Sequence, residues 1–114
     1  PHVLQPYEPL RYRDTVTPYI YSMGNFTSSM LGSATKETLI LSLTLERDES
    51  GEVVLAEQTY YPCYMLDEYE KEPFVLIPED KDCNGSLYEN APKAPVNQLK
   101  DYFKHMRKIV GKLD

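Results

Sequence analysis

Tryptophan is absent from the 114 residues, histidine and cysteine occur only twice each, and glycine five times. Each scarcity excludes something. Cys63 and Cys83 stand twenty residues apart with no neighbouring Cys or His cluster, which rules out zinc-finger and thioredoxin-type spacing and leaves either one disulfide or two buried thiols. The few glycines form no phosphate-cradling loop, and no Ser, His and acid sit in a recognisable catalytic context, so the residues by themselves name no catalytic group. Lysine and arginine total 12 against 18 acids, a net charge of -6 that disfavours nucleic acid as a partner. No apolar run approaches the ~18 residues that span a bilayer. The length suits a single domain.

What is abundant is proline, nine residues, and tyrosine, ten. Pro1, Pro6, Pro9 and Pro18 block helix over the first twenty-two residues, so Val3-Leu4 and Pro18-Tyr19-Ile20-Tyr21 read as short strands. Ser22-Met23-Gly24-Asn25-Phe26 reads as a sharp turn at a strand end, with Gly24-Asn25 suited to positive φ. Residues 27–36 read as a Ser/Thr/Gly loop with one helical turn. From Thr38 to Leu45 apolar and polar residues alternate. This predicts a strand with Leu39, Leu41, Leu43 and Leu45 on one buried face and Ser42 and Thr44 wetter. The polar turn 46–51 returns the chain as a second strand over 52–64, whose ladder Pro62 is expected to end or kink. Residues 74–77 form a third short strand, and residues 80–92, which carry Asn84-Gly85, a surface loop.

A helix opens at Pro95, with Val96, Leu99, Phe103, Met106 and Val110 as one apolar stripe and Gly111 just past its end. Lys104, Arg107 and Lys108 complement the negative end of the helix dipole and account for the basic terminus without a ligand. His105 falls on the polar flank and reads as solvated. Acids concentrate instead in residues 46–90, which hold 13 of the 18. Asp67-Glu68-Tyr69-Glu70 lacks the ligand spacing of a calcium loop and reads as solvated too. The sequons Asn25-Phe26-Thr27 and Asn84-Gly85-Ser86 are too short to carry weight. The tyrosines at 7, 12, 19, 21, 60, 61 and 64 read as strand packing rather than a binding groove. The fold class is therefore α+β, mainly antiparallel strands followed by a C-terminal helix, in one segment over 1–114.

One combination is more specific. Pro1-His2-Val3-Leu4-Gln5-Pro6 with Glu8, followed by Ile20-Tyr21-Ser22-Met23-Gly24-Asn25-Phe26, resembles the bacterial capsule-synthesis family of poly-γ-glutamate proteins, CapA or PgsA type, which have a calcineurin-like metallophosphoesterase fold. Met23 stands where that family usually has Leu. The resemblance covers roughly the first 65 residues, the first 26 specifically. It implies that the chain is the C-terminal part of an α/β/β/α sandwich, and that His2 matches the last histidine of the motif, a ligand of a dinuclear centre of Mn, Zn or Fe. Glu8, Ser22 and Asn25 are the cleft candidates.

A two-metal site needs ligands spread over a whole domain, so no metal is expected on this chain alone, no catalytic residue is assigned to it, and the isolated chain is expected to be inert. The implied setting is the bacterial cell surface, anchored through a segment outside this sequence. The implied partners are the N-terminal part of the same protein, a second copy, or other capsule-synthesis membrane proteins. Two alternatives stand beside that reading: a fragment of an active metal-dependent phosphoesterase, and a noncatalytic interaction module.

Overall fold

The computed structural model describes residues 2–26, 32–67, 74–79 and 96–113. Its elements are β1 (Leu10–Tyr12), β2 (Thr15–Thr17), a 3-10 turn (Ser33–Thr35), β3 (Glu37–Arg47), β4 (Val53–Asp67), β5 (Phe74–Pro78) and α1 (Val96–Val110). The class is α+β: β3, β4 and β5 form an antiparallel meander, β1 and β2 a separate ribbon, and α1 packs on β4 and β3. The expected loop over 80–92, Cys83, Asn84, Glu68 and Glu70 lie outside the described residues.

The proline-rich start is a hairpin longer than its two short strands suggest. β1 pairs with β2 from Leu10↔Thr17 to Tyr12↔Thr15, and the same register continues through the bridges Tyr7↔Ile20 and Leu4↔Met23. Pro6, Pro9 and Pro18 interrupt the ladder without shifting it, since a proline removes one donor but tolerates extended backbone. The turn is made by Arg13-Asp14, with Arg13 at φ 53, where sequence reasoning expects Gly or Asn. The second arm touches the sheet through the bridge Gly24↔Thr38, with Leu39 N–H donating to Met23 O at 3.3 Å. The first arm meets the end of the helix, where Tyr7 N–H donates to Val110 O at 3.2 Å.

Two strand expectations need correction. β4 runs through Pro62 to Asp67 instead of ending there. Pro62 lies opposite Leu39, whose own N–H points away from β4 to Met23, so the ladder asks for no donor from Pro62 on that side; its carbonyl accepts from Glu79 N at 2.9 Å on the other. The leucine face is also shorter than expected. Leu39 is buried and Leu41 half-buried, but Leu43 is exposed and Leu45 is 60% exposed. A 15-residue helix is about 22 Å long, whereas the eleven residues of β3 extend about 36 Å, so α1 covers only part of the strand. Beyond the cover the register shifts between Thr44 and Leu45, where β4 carries one extra residue, Ala56, without a partner on β3.

The core lies where the helix stripe meets the first half of that sheet. Leu99, Phe103, Met106 and Val110 pack with Leu39, Tyr60, Tyr64 and Ile77, and the N-terminal hairpin adds Leu4 and Tyr7. Tyr64 stacks on Tyr102 at 4.8 Å between centroids. Tyr60 O–H donates to Gly111 O at 3.0 Å, and Gly111, at φ 82, ends the helix as its C′ residue. At the other end of β3, Asp48 Oδ1 accepts from Ser50 N–H, Ser50 O–H and Glu52 N–H, and these hydrogen bonds, that of the Ser50 side chain foremost, hold its pKa below the usual value.

Burial has a consequence at high pH. It pushes the Tyr64 phenol up to about 12, helped by Tyr102, and the Cys63 thiol up to about 11. Both groups hold their proton more tightly folded than unfolded, so their contribution is complete below the unfolded values and is lost as pH rises from about 9 to 12. We expect the urea midpoint to fall steadily over that window, and less steeply in Tyr64→Phe. A midpoint that stays flat from pH 8.5 to 11.5 would contradict the burial of these two groups.

Candidate functional site

The hairpin register places the motif residues. Two positions before Leu4 and two after Met23, His2 and Asn25 meet across the ladder, with His2 Nδ1 at 2.8 Å from Asn25 Oδ1. Asn25 is 7% exposed and its Nδ2 donates to Thr35 O at 3.0 Å, so the amide is held between the hairpin and the 3-10 turn. That engagement also removes Asn25 as a glycan acceptor in the folded chain. An amide oxygen can only accept, so the contact calls for a proton on His2 Nδ1; in neutral imidazole Nε2 then carries the free lone pair. This is the arrangement in which a histidine orients for ligation, its second nitrogen tied to an oxygen.

The backbone that makes this meeting is set by Gly24. It takes φ 76, and Asn25 beside it does not share the positive φ expected of it. Thr38 O–H donates to Met23 O at 2.7 Å and Gly24 N–H to Ser22 Oγ at 3.2 Å, so the strand end is fixed against β3.

The other candidates lie elsewhere or serve the turn. Ser22 is half-buried and its oxygen supports Gly24. Glu8 is exposed, and its N–H donates to Tyr19 O at 2.8 Å. Six residues of extended chain separate it from His2, about 20 Å, so Glu8 does not join the His2–Asn25 pair. Among the described residues no group of three His, Cys, Asp or Glu side chains could hold a metal ion. His2 fits a ligand, but one imidazole beside one amide is not a complete centre, and further donors would have to come from elsewhere.

His105 is exposed on the polar flank, as expected, and also has a partner that the flank position does not announce. Its Nδ1 lies 2.9 and 3.1 Å from the two carboxylate oxygens of Glu37, which is 3% exposed. The helix thus supplies the partner for a carboxylate buried at the start of β3, as a buried acid requires. A periodicity reading places His105 on a polar flank and cannot see that the flank meets Glu37 across the sheet. Near the helix end Arg107 Nε donates to Glu79 at 2.9 Å, and its guanidinium lies over the Tyr60 ring, 5.3 Å from the centroid.

Tyr7, Tyr60 and Tyr64 are buried in the core, in keeping with packing, while Tyr12, Tyr21 and Tyr61 are exposed. Tyr7 O–H also donates to Gln58 Oε1, linking the first arm of the hairpin to β4. No family model, no curated protein and no solved structure matches this chain.

Proposed function

We propose that the chain is the C-terminal portion of a bacterial capsule or poly-γ-glutamate biosynthesis protein with a metallophosphoesterase-like domain, acting in synthesis, export or anchoring of a cell-surface polymer. The observation that carries this reading is the His2–Asn25 contact. The second half of the motif that suggests the family begins at Ile20, a dozen residues after Glu8, yet His2 and Asn25, twenty-three residues apart in sequence, meet at 2.8 Å, with His2 Nε2 left in the form that ligates a metal. In the whole protein His2 would be one ligand of a divalent metal, Mn, Zn or Fe, which supplies Lewis acidity toward a phosphoryl oxygen. Asn25 would hold the imidazole in position, and the remaining ligands come from the N-terminal part of the protein. The setting is extracytoplasmic, at the bacterial surface.

The reading is tested at two levels. The 114-residue chain alone shows no turnover of p-nitrophenyl phosphate with manganese above buffer. In the full-length protein His2→Ala weakens manganese affinity by 10-fold or more and Asn25→Ala by a smaller factor, as loss of a ligand and of its orienting partner should. Activity of the short chain that survives repurification and vanishes in His2→Ala would show a self-sufficient site and overturn the fragment reading. Metal affinity of the full-length protein unchanged in His2→Ala would overturn the ligand assignment.

A further inference from the structure

β3 is an edge of its sheet: β4 lies on one side and, among the described residues, the other side meets only the arm of the N-terminal hairpin at Thr38 and Leu39. Leu39 N–H points to that outer side, toward Met23 O, while Asp48 N–H just past the far end points inward to Glu52 O. Odd-numbered residues therefore face outward along the whole of β3, because the extra residue at the register shift, Ala56, belongs to β4 and leaves β3 in phase. Among the described residues the outward N–H and C=O groups of Leu41, Leu43, Leu45 and Arg47 pair with no backbone. The hairpin does not reach them, since it leaves the edge at Met23, and β2 and Tyr7 approach β4 instead. Thr38 to Leu45 holds no charge, no proline and no glycine, and charge enters only at Glu46 and Arg47. Such a run on an open edge lacks the devices that keep edges apart and has the composition of segments that pair with copies of themselves.

We propose that this edge is the interface of a homodimer, β3 pairing antiparallel with β3 of a second copy about a two-fold axis at Thr44. The free stretch itself selects the occupant and the register. It runs from Leu41 to Arg47, and Thr44 is its centre. Pairing about that centre joins Leu41 to Arg47 and Leu43 to Leu45 of the other copy, so every outward group on both strands finds a partner. Pairing about Leu43 would set Arg47 of the second copy against Leu39, whose N–H already donates to Met23 O. Pairing about Leu45 would leave Leu41 facing the turn of the second copy. The side chains fit the register about Thr44. On the helix-bearing face Leu43 lies beside Leu45 of the second copy, and these are the leucines left 39% and 60% exposed beyond the cover of the helix. On the opposite face Thr44 meets its own copy and Ser42 meets Glu46, both pairs able to hydrogen-bond, and no charge stands opposite one of its own sign. The net charge of -6 resists association only weakly at physiological salt, where screening acts over ~8 Å. One strand edge and its leucine pairs make a small interface, so association is expected at about tens of micromolar. The inference stands on this edge and does not rest on the capsule reading.

Sedimentation velocity and light scattering on the 114-residue chain test it. At about 200 micromolar the mass should approach twice 13.2 kDa. Leu45→Lys changes an exposed side chain on the free edge, leaves the core intact, and should weaken the dimer at least ~10-fold. Cross-linking reads the register. Thr44→Cys sets two thiols at a non-hydrogen-bonded pair with Cα atoms about 4.5 Å apart, within reach of a disulfide, so mild oxidation should give a covalent dimer that peptide mass mapping assigns to a link from 44 to 44. Ser42→Cys sets them about 14 Å apart and should give no link from 42 to 42. A monomer at about 200 micromolar, the result if the edge is kept for a different chain, would overturn the proposal. A dimer indifferent to Leu45→Lys, or links that form as readily through residue 42 as through residue 44, would overturn it as well.

Discussion

Gly24→Ala is expected to destabilise the chain by roughly 3–5 kcal/mol, in the range reserved for a few specific mechanisms. Two of them coincide at this position. The residue sits at φ 76, where a side chain costs about 1–3 kcal/mol. A Cβ there would lie 2.2 Å from Glu37 O and 3.2 Å from Thr38 Cα, both backbone atoms of β3 that cannot turn aside as the end of a flexible side chain can. Relief would require the hairpin arm to lift from β3, breaking the Leu39 to Met23 hydrogen bond and the Thr38 to Met23 hydrogen bond together. It would also move Asn25 away from His2, so the loss of stability and the loss of the His2–Asn25 contact should appear in the same variant. Urea denaturation gives the first, and the His2 imidazole resonances over a pH titration give the second. Gly51→Ala is the control: its φ is 87 but a Cβ there meets nothing within 4 Å, so only the backbone part of the cost applies. If Gly24→Ala cost no more than Gly51→Ala, the close approach of hairpin and β3 would be wrong.

The parts of this fold that can be read from sequence are those written in local periodicity. The stripe Leu99, Phe103, Met106 and Val110 specifies a helix and its buried face without reference to anything else, and the alternation from Thr38 to Leu45 specifies a strand. How far that strand is buried is a different kind of fact. Leu43 and Leu45 have the same pattern as Leu39, and their exposure follows from the length of the helix laid over them, which no strand pattern records. The turn at Arg13-Asp14 escaped for the converse reason: it carries neither Gly nor Asn, and the pairing on either side of it determines its backbone.

The candidate site shows the same division. Gly24-Asn25 could be read as a strand end from residue chemistry alone. The contact between His2 and Asn25 depends on a register that passes through three prolines, and only the family resemblance hinted that these residues belong together. Glu8 was attached to them by sequence proximity, and the extended backbone separates it by about 20 Å. Glu37 carried no sequence signal of its own, because an acid at the first position of a strand reads as a solvated edge; its burial against His105 arises from the docking of a helix sixty residues later.

That docking is the other place where one side chain decides much of the stability. Phe103 is 2% exposed and stands at the centre of the helix stripe, between Leu99 and Met106 and facing the β3–β4–β5 sheet. Truncation to alanine removes the ring and leaves a cavity that neighbours fill only in part, at a cost of about 3–5 kcal/mol. For a domain whose whole stability is of order 5–15 kcal/mol this is a large fraction. The effect should concentrate on the helix. A 15-residue helix is marginal in water by itself, so α1 persists because its apolar face is covered, and weakening that cover releases it before the β3–β4 hairpin opens. Phe103→Ala should therefore lower the urea midpoint, reduce the helical signal at 222 nm in the absence of denaturant, and speed amide exchange in residues 99–110 more than in β3. Lys104→Ala, one position along on the exposed side, should change stability by no more than about 0.5 kcal/mol. Full retention of the helical signal in Phe103→Ala, with a loss below about 1 kcal/mol, would mean that the Glu37–His105 pair and the Tyr64–Tyr102 stack hold the helix in place without the aromatic centre.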